Sequence, residues 1–74
     1  MMTFDLHQRF AVRHEIGELI DGARSTYTPI KVTVEANRLR KSYPEVGLSR
    51  DQIVMSIIDV AGVADVVVEF GTAG

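Results

Sequence analysis

The sequence predicts an all-α fold, a small bundle of three helices, or four if the C-terminal segment forms a short helix of its own. Three observations support this. Apolar residues recur at helical spacing in three segments. Glycine- and proline-containing breaks separate these segments. One segment also begins with a complete capping-box pattern. The length of 74 residues fits a single domain over residues 1–74.

The first predicted helix runs from about residue 4 to residue 21. Asp5 would lie in its first turn, where a carboxylate interacts favourably with the helix dipole. Gly22 suits a C-terminal cap, whereas Gly17 weakens the helix by about 1 kcal/mol relative to alanine. One broad face of this helix is apolar and contains Leu6, Val12, Ile16, Leu19, Ile20 and Ala23.

The second predicted helix runs from residue 29 to about residue 42. Thr28 followed by Pro29 is typical of an N-cap with proline in the first helical turn. Pro44 then ends the helix, because the residue before a proline avoids helical geometry. The apolar stripe follows helical spacing and consists of Val32, Ala36, Leu39 and Tyr43.

The start of this second segment also fits a strand. Apolar and polar residues alternate over residues 30–35, and β-branched side chains dominate the apolar positions. The alternative fold is therefore α+β, with paired strands near residues 30–34 and 66–70. We favour the helix because the proposed cap and the longer apolar stripe agree.

The third predicted helix has the clearest local pattern in the chain. Ser49 and Gln52 form the capping box, and Leu48 and Ile53 are placed as a hydrophobic staple. Gly62 suits the C-terminal cap. Residues 64–70 can then form a short helix, a strand or an extended tail. The broad apolar face of the helix contains Ile53, Val54, Ile57, Ile58, Val60, Ala61 and Ala64.

The three helices should pack around one apolar core. A domain of this size buries only about 60% of its unfolded surface, so its stability margin is thin. The predicted core consists of Leu6, Val12, Ile16, Leu19, Ile20, Val32, Leu39, Tyr43, Ile53, Ile57, Ile58, Val60 and Ala61.

Composition points to a soluble protein of the cytoplasm. The sequence has no cysteine, which excludes disulfides and thiolate metal sites. No apolar run approaches the roughly 20 residues of a membrane helix, and residues 1–13 carry charges where a signal peptide would be apolar. The net charge of −2 argues against bulk nucleic-acid binding.

The sequence predicts no enzyme site, metal site or cofactor. His14 and Glu18 resemble part of a zinc-binding H-E-x-x-H helix, but a third protein ligand is missing. His7 lies about two turns, or roughly 10 Å, from His14, too far to share an ion with it. Residues 17–25 have the outline of a phosphate-binding loop, but Ala23 stands where that loop needs lysine.

Two groups of residues are candidates for binding a partner. The first is a face of the second helix, which is either simply solvated or a docking surface for an acidic partner or a phosphate backbone. It contains Lys31, Val34, Arg38 and Lys41. The second is apolar surface beyond what two short helices should cover. It contains Val63, Val66, Val67 and Phe70.

These groups lead to two functional hypotheses. The leading one is a non-enzymatic protein-interaction module that self-associates as a homodimer, since a symmetric dimer would bury the surplus apolar surface. The alternative is a nucleic-acid-binding regulator that uses the basic segment 31–50, which contains five basic and two acidic residues.

Two resemblances accompany this interpretation. LRKSYPEV at 39–46, then Ile53, Ile57 and GVADVVVEF at 62–70, resembles the rhythm of ubiquitin-associated and CUE-type three-helix domains. This implies a three-helix fold, although Phe70 and Gly71 replace the paired leucines of CUE domains. RHEIGELIDGAR, TPIKV and VVVEFG are similar to segments of short uncharacterised alphaproteobacterial proteins, which implies a bacterial source and no particular activity.

Overall fold

The structure, a computed structural model, describes residues 6–70 and is mostly helical. Three helices account for the greater part of these residues, as the sequence predicts. A two-stranded parallel sheet is also present, formed by the segments named in the α+β alternative. In chain order the elements are α1 (Leu6–Thr26), β1 (Ile30–Lys31), α2 (Val32–Ser42), α3 (Arg50–Ala64) and β2 (Val68–Glu69).

Helix α1 is longer than predicted and continues past Gly22 to Thr26. Gly22 therefore does not cap the helix. Instead, Tyr27 adopts a left-handed conformation with φ of 55°, and the amide of Thr28 donates a hydrogen bond to the carbonyl of Ala23 at 3.0 Å. The predicted first-turn residue Asp5 lies outside the described residues.

The start of α2 differs from the predicted one, because a strand comes first. Thr28 and Pro29 do not cap the helix: α2 begins at Val32, and Lys31 occupies the N-cap without a side-chain hydrogen bond. The amide of Ile30 instead donates to the carbonyl of Val67 at 3.0 Å. Pairing with β2 keeps the chain extended through residue 31, which delays the helix by one turn.

Strands β1 and β2 pair in parallel, with Ile30 opposite Val68 and Lys31 opposite Glu69. The helices α2 and α3 form the connection between them. Because β1 also packs against α1 and α2, the sheet lies at the end of the bundle where α1 terminates.

The capping box of α3 is confirmed. The hydroxyl of Ser49 accepts a hydrogen bond from the amide of Gln52, and the Gln52 side chain accepts one from the amide of Ser49. Gly62 lies inside the helix and does not cap it. The C-cap is Asp65, in left-handed geometry, after which the amide of Val66 donates to the carbonyl of Ala61 at 2.8 Å.

Most of the predicted core is confirmed. Leu19, Tyr43 and Ile58 are only partly buried, but they pack against the core. The structure adds four buried residues, namely Ala23, Ile30, Ala36 and Val46. The predicted core residues that are buried are Val12, Ile16, Ile20, Val32, Leu39, Ile53, Ile57 and Ala61.

The prediction that Leu6 and Val60 belong to the core is wrong. Their exposed fractions are 59% and 40%. Leu6 lies off the line of buried α1 residues and shares its side of the helix with Phe10, four residues on. Val60 on α3 lines a surface groove together with Leu6 and Phe10, so both side chains remain at the surface.

The loop between α2 and α3 is fastened to the first turns of α1. The guanidinium of Arg9 donates to the carbonyls of Val46 and Gly47 at 2.9 and 3.3 Å. The side-chain oxygen of Gln8 accepts a hydrogen bond from the amide of Glu45 at 2.8 Å.

Between residues 6 and 70, every helix is too short or too polar to cross a lipid bilayer.

Candidate interaction surfaces

The outer edge of β2 is the first candidate surface. Val66 and Val68 are partly buried and pack against the core, whereas the side chain of Val67 is 67% exposed. This alternation is typical of a strand with one buried face. Phe70, two residues after Val68, is 66% exposed and does not pack against the core.

The backbone of Val68 is open at this edge. Ile30 lies opposite Val68 in the parallel pair. In such a ladder, the backbone of Ile30 forms hydrogen bonds with the residues before and after Val68, namely Val67 and Glu69. The amide and carbonyl of Val68 therefore point away from β1. No hydrogen bond to either group is found within residues 6–70. We call the segment Val66–Phe70, with this backbone edge, the β2 edge.

Two further exposed apolar side chains belong to the same end of the bundle. Tyr27 lines a cavity of about 370 Å³ together with Val66 and Val67, and its side chain is 94% exposed. Val63, in the last turn of α3, is 92% exposed. Sequence reasoning named Val63, Val66, Val67 and Phe70 but missed Tyr27, which follows the helix as an isolated aromatic residue.

A groove between α1 and α3 is the second candidate surface, and the sequence did not predict it. Its volume is about 530 Å³. Leu6, Phe10 and Val60 supply exposed apolar surface, while Arg13 and Asp59 supply charges of opposite sign. We call this set the α1–α3 groove. Phe10 lies outside the apolar stripe of α1, and this position was the only signal in the sequence.

The predicted basic face of α2 is exposed, but one of its cations is already paired. Lys31, Val34, Arg38 and Lys41 all lie at the surface. Arg38 donates to the carboxylate of Glu35 at 2.8 Å and lies 3.8 Å from the carboxylate of Glu15 on α1. The hydrogen bond to Glu35 raises the pKa of Arg38 against the opposing effect of burial, and the charges of both carboxylates add to the rise.

Tyr43 extends this polar group toward α1. Its hydroxyl donates a hydrogen bond to Glu15 at 2.8 Å. The hydrogen bond, with smaller contributions from burial and from the charge of Glu15, raises the pKa of Tyr43, while Arg38 partly opposes the shift. The two carboxylates therefore hold Arg38 and Tyr43 within the fold. Lys31 and Lys41 are the cations of this face that form no ion pair of 4.0 Å or less with any residue from 6 to 70.

The side chains of His14 and Glu18 lie close together on the surface of α1. The Nε2 atom of His14 lies 3.4 Å from the carboxylate of Glu18, and both side chains are largely exposed. In the part of the chain that the structure describes, no three metal-ligating side chains converge. Residues 17–25 lie within α1, so the segment with a phosphate-loop outline is helical.

Searches with the chain against known protein families, curated proteins and solved structures give no match.

Proposed function

We propose that the protein is a non-enzymatic interaction module that self-associates. The observation that carries this proposal is the exposure of three apolar side chains, Val63, Val67 and Phe70, within eight residues at one end of the bundle. Scattered apolar residues are normal on a protein surface, whereas exposed apolar residues grouped in one region are typical of interaction sites, which supports the proposal.

Self-association would also add to the limited stability that a small core provides. Burying apolar surface contributes about 25 cal/mol per Å², and the whole stability of a domain is only about 0.05–0.15 kcal/mol per residue. A second copy that covers the exposed cluster would therefore add a substantial fraction of the stability of one subunit. Because binding to the folded state shifts unfolding by mass action, thermal stability should rise with protein concentration.

Sedimentation velocity from low to high micromolar concentration tests the proposal. We expect the sedimentation coefficient to rise from that of an 8.2 kDa monomer toward that of a dimer. The melting temperature should rise over the same range. A single monomeric species throughout, with an unchanged melting temperature, would show that the chain does not self-associate.

A nucleic-acid-binding regulator is the second candidate. Arg40 of α2 and Arg50 of α3 line one cavity, and Lys31 and Lys41 are exposed nearby on the chain. Asp51 lines the same cavity and lies 3.5 Å from Arg50, which reduces the local positive charge.

Duplex DNA titration at low salt distinguishes the two candidates. A regulator should bind in a salt-sensitive manner and lose affinity on charge reversal at Lys41 and Arg40. These exposed positions are preferable to Arg38, whose reversal would also disturb the contacts with Glu15 and Glu35. A flat titration with the wild type would end this candidate.

A further inference from the structure

We propose that two copies join through their β2 edges, paired antiparallel about a two-fold axis at Val68. The resulting sheet would contain β1, β2, the partner's β2 and the partner's β1, in that order. This inference rests on the proposed self-association and specifies its interface. A two-fold axis is the commonest symmetry of soluble dimers, and it uses the same surface on both subunits.

The open backbone of Val68 is the first support. Its amide and carbonyl point away from β1 and have no partner within the described chain. In an antiparallel pair, two opposing residues can exchange both N–H···O bonds. An axis at Val68 makes it such a pair with Val68 of the partner subunit. Each subunit would then satisfy the edge groups of the other.

The second support is the charge pattern along the strand. With the axis at Val68, Val67 lies opposite Glu69 of the partner subunit. Over residues 66–70, the one acidic side chain therefore faces an apolar one. Like charges placed directly opposite each other would destabilise the pairing. The register that satisfies Val68 is therefore also free of direct charge repulsion.

Phe70 supplies the third support. In the same register it lies opposite Val66 of the partner subunit. Aromatic and β-branched residues form favourable cross-strand pairs, and the side chains at alternate positions 66, 68 and 70 lie on one face of a strand. Phe70 is 66% exposed in one subunit. Pairing would extend the core side of the sheet over this ring.

The other edge of the sheet is closed to such an addition. Lys31 is both the last residue of β1 and the N-cap of α2. The chain leaves the extended conformation there, and β1 packs against α1 and α2. By contrast, no helix begins at either end of β2 between residues 66 and 70. An added strand can therefore pair over a useful length only at β2.

The size of this contact sets the expected affinity. Five residues from each subunit, with Tyr27 and Val63 nearby, cover less than the roughly 1,200–2,000 Å² of standard stable interfaces. We therefore expect a dimer that dissociates on dilution, rather than an obligate one. The measurements should accordingly span the micromolar range.

Charge substitutions at Val67 test the register. In Val67→Glu, the introduced carboxylate of each subunit would face Glu69 of the partner subunit, which makes two like-charge pairs per dimer. The dimer dissociation constant should therefore rise by about tenfold. Val67→Lys is the matched control, because it introduces a charge of similar length that lies opposite Glu69 of the partner subunit. It should dimerise at least as tightly as the wild type. Since Val67 is mostly exposed, both variants should fold.

Proline at Val68 tests the backbone pairing. Val68→Pro removes the outward amide without removing a bond to β1, whereas Val68→Ala shortens the side chain and keeps the amide. Dimerisation should be lost in the proline variant and retained in the alanine variant. Circular dichroism should show that both keep their helices.

Phe10→Glu in the α1–α3 groove separates the two surfaces. We expect this variant to dimerise normally. If the wild type dimerises but Val67→Glu and Val68→Pro dimerise equally well, the β2 interface is wrong and self-association stands. Loss of the dimer in Phe10→Glu alone would place the contact in the groove. A wild type that stays monomeric would overturn both proposals.

Discussion

The hydroxyl of Tyr43, the C-cap residue of α2, donates a hydrogen bond of 2.8 Å to one carboxylate oxygen of Glu15 on α1. The other oxygen of the same carboxylate lies 3.8 Å from Arg38. One carboxylate thus connects α1 both to Arg38 within α2 and to Tyr43 at the end of α2. Tyr43 lies 28 residues after Glu15 in the chain. This contact fixes α2 against α1 without burying a charge.

Tyr43→Phe should lower the free energy of unfolding, with an effect that depends on pH. The hydrogen bond to Glu15 raises the pKa of folded Tyr43 above its ordinary value near 10. The folded state therefore holds this proton more tightly than the unfolded state. Its stabilising contribution is fully present below pH 10 and is lost as pH rises through the folded pKa.

Urea unfolding of both proteins from pH 8 to above pH 10 measures this effect. The difference in unfolding free energy between wild type and Tyr43→Phe should be constant below about pH 10 and shrink above it. Tyr27→Phe is the control, because Tyr27 is 94% exposed and should change little. A difference that does not narrow at high pH would contradict the assignment.

Ser49→Ala should destabilise the protein by about 0.5–2 kcal/mol. The substitution removes the hydroxyl that accepts the hydrogen bond from the amide of Gln52 at 3.1 Å. For a domain of this size, each 1 kcal/mol shifts the melting temperature by about 4–8 °C. Ser49→Gly should cost only a few tenths of a kcal/mol. Equal losses in the two variants would argue against the cap.

Gly17→Ala and Gly62→Ala should each stabilise the protein by about 0.5–1 kcal/mol. Both glycines lie inside helices, and a β-carbon at either position would meet no atom within 4 Å apart from the neighbouring backbone of its own helix. Gly47→Ala is the opposing control: its φ of 74° is left-handed, so alanine should cost about 1–2 kcal/mol. Thermal unfolding at one protein concentration would show the opposite signs.

Ile57→Ala should cost about 2–5 kcal/mol, because Ile57 is fully buried at the centre of α3 and truncation leaves a cavity. Ile57→Val should cost only about 0.5–1.5 kcal/mol. Met55→Ala on the exposed side of the same helix should stay within about 0.5 kcal/mol of the wild type. Similar melting temperatures for Ile57→Ala and Met55→Ala would mean that α3 does not pack as described.

Local patterns in the sequence were sufficient for the helices. The capping box at Ser49 and Gln52 and the apolar spacing of α1 and α3 use contacts within a few residues. The buried stripe of Val32, Ala36 and Leu39 was also predicted correctly. The candidate residues Val63, Val67 and Phe70 were found to be exposed, as their surplus in the apolar pattern suggested.

Positions that depend on distant partners were predicted less well. Thr28 and Pro29 have the residue types of a helix cap, but the hydrogen bond from Ile30 to Val67 keeps the chain extended. Leu6 and Val60 are apolar residues of the kind that form cores, but they line the α1–α3 groove at the surface. Arg38 belongs to an exposed basic face, but Glu15 and Glu35 pair with it.

The sequence by itself determined three amphipathic helices, the start of α3 and most of the side chains that face inward, because caps and periodicity act over one or two turns. Only the tertiary structure decided that Ile30 and Val68 pair as parallel strands, which edge stays open and which carboxylates neutralise Arg38. Strand pairing needs a partner far along the chain, and the packing of α1 against α3 determines which apolar residues remain outside.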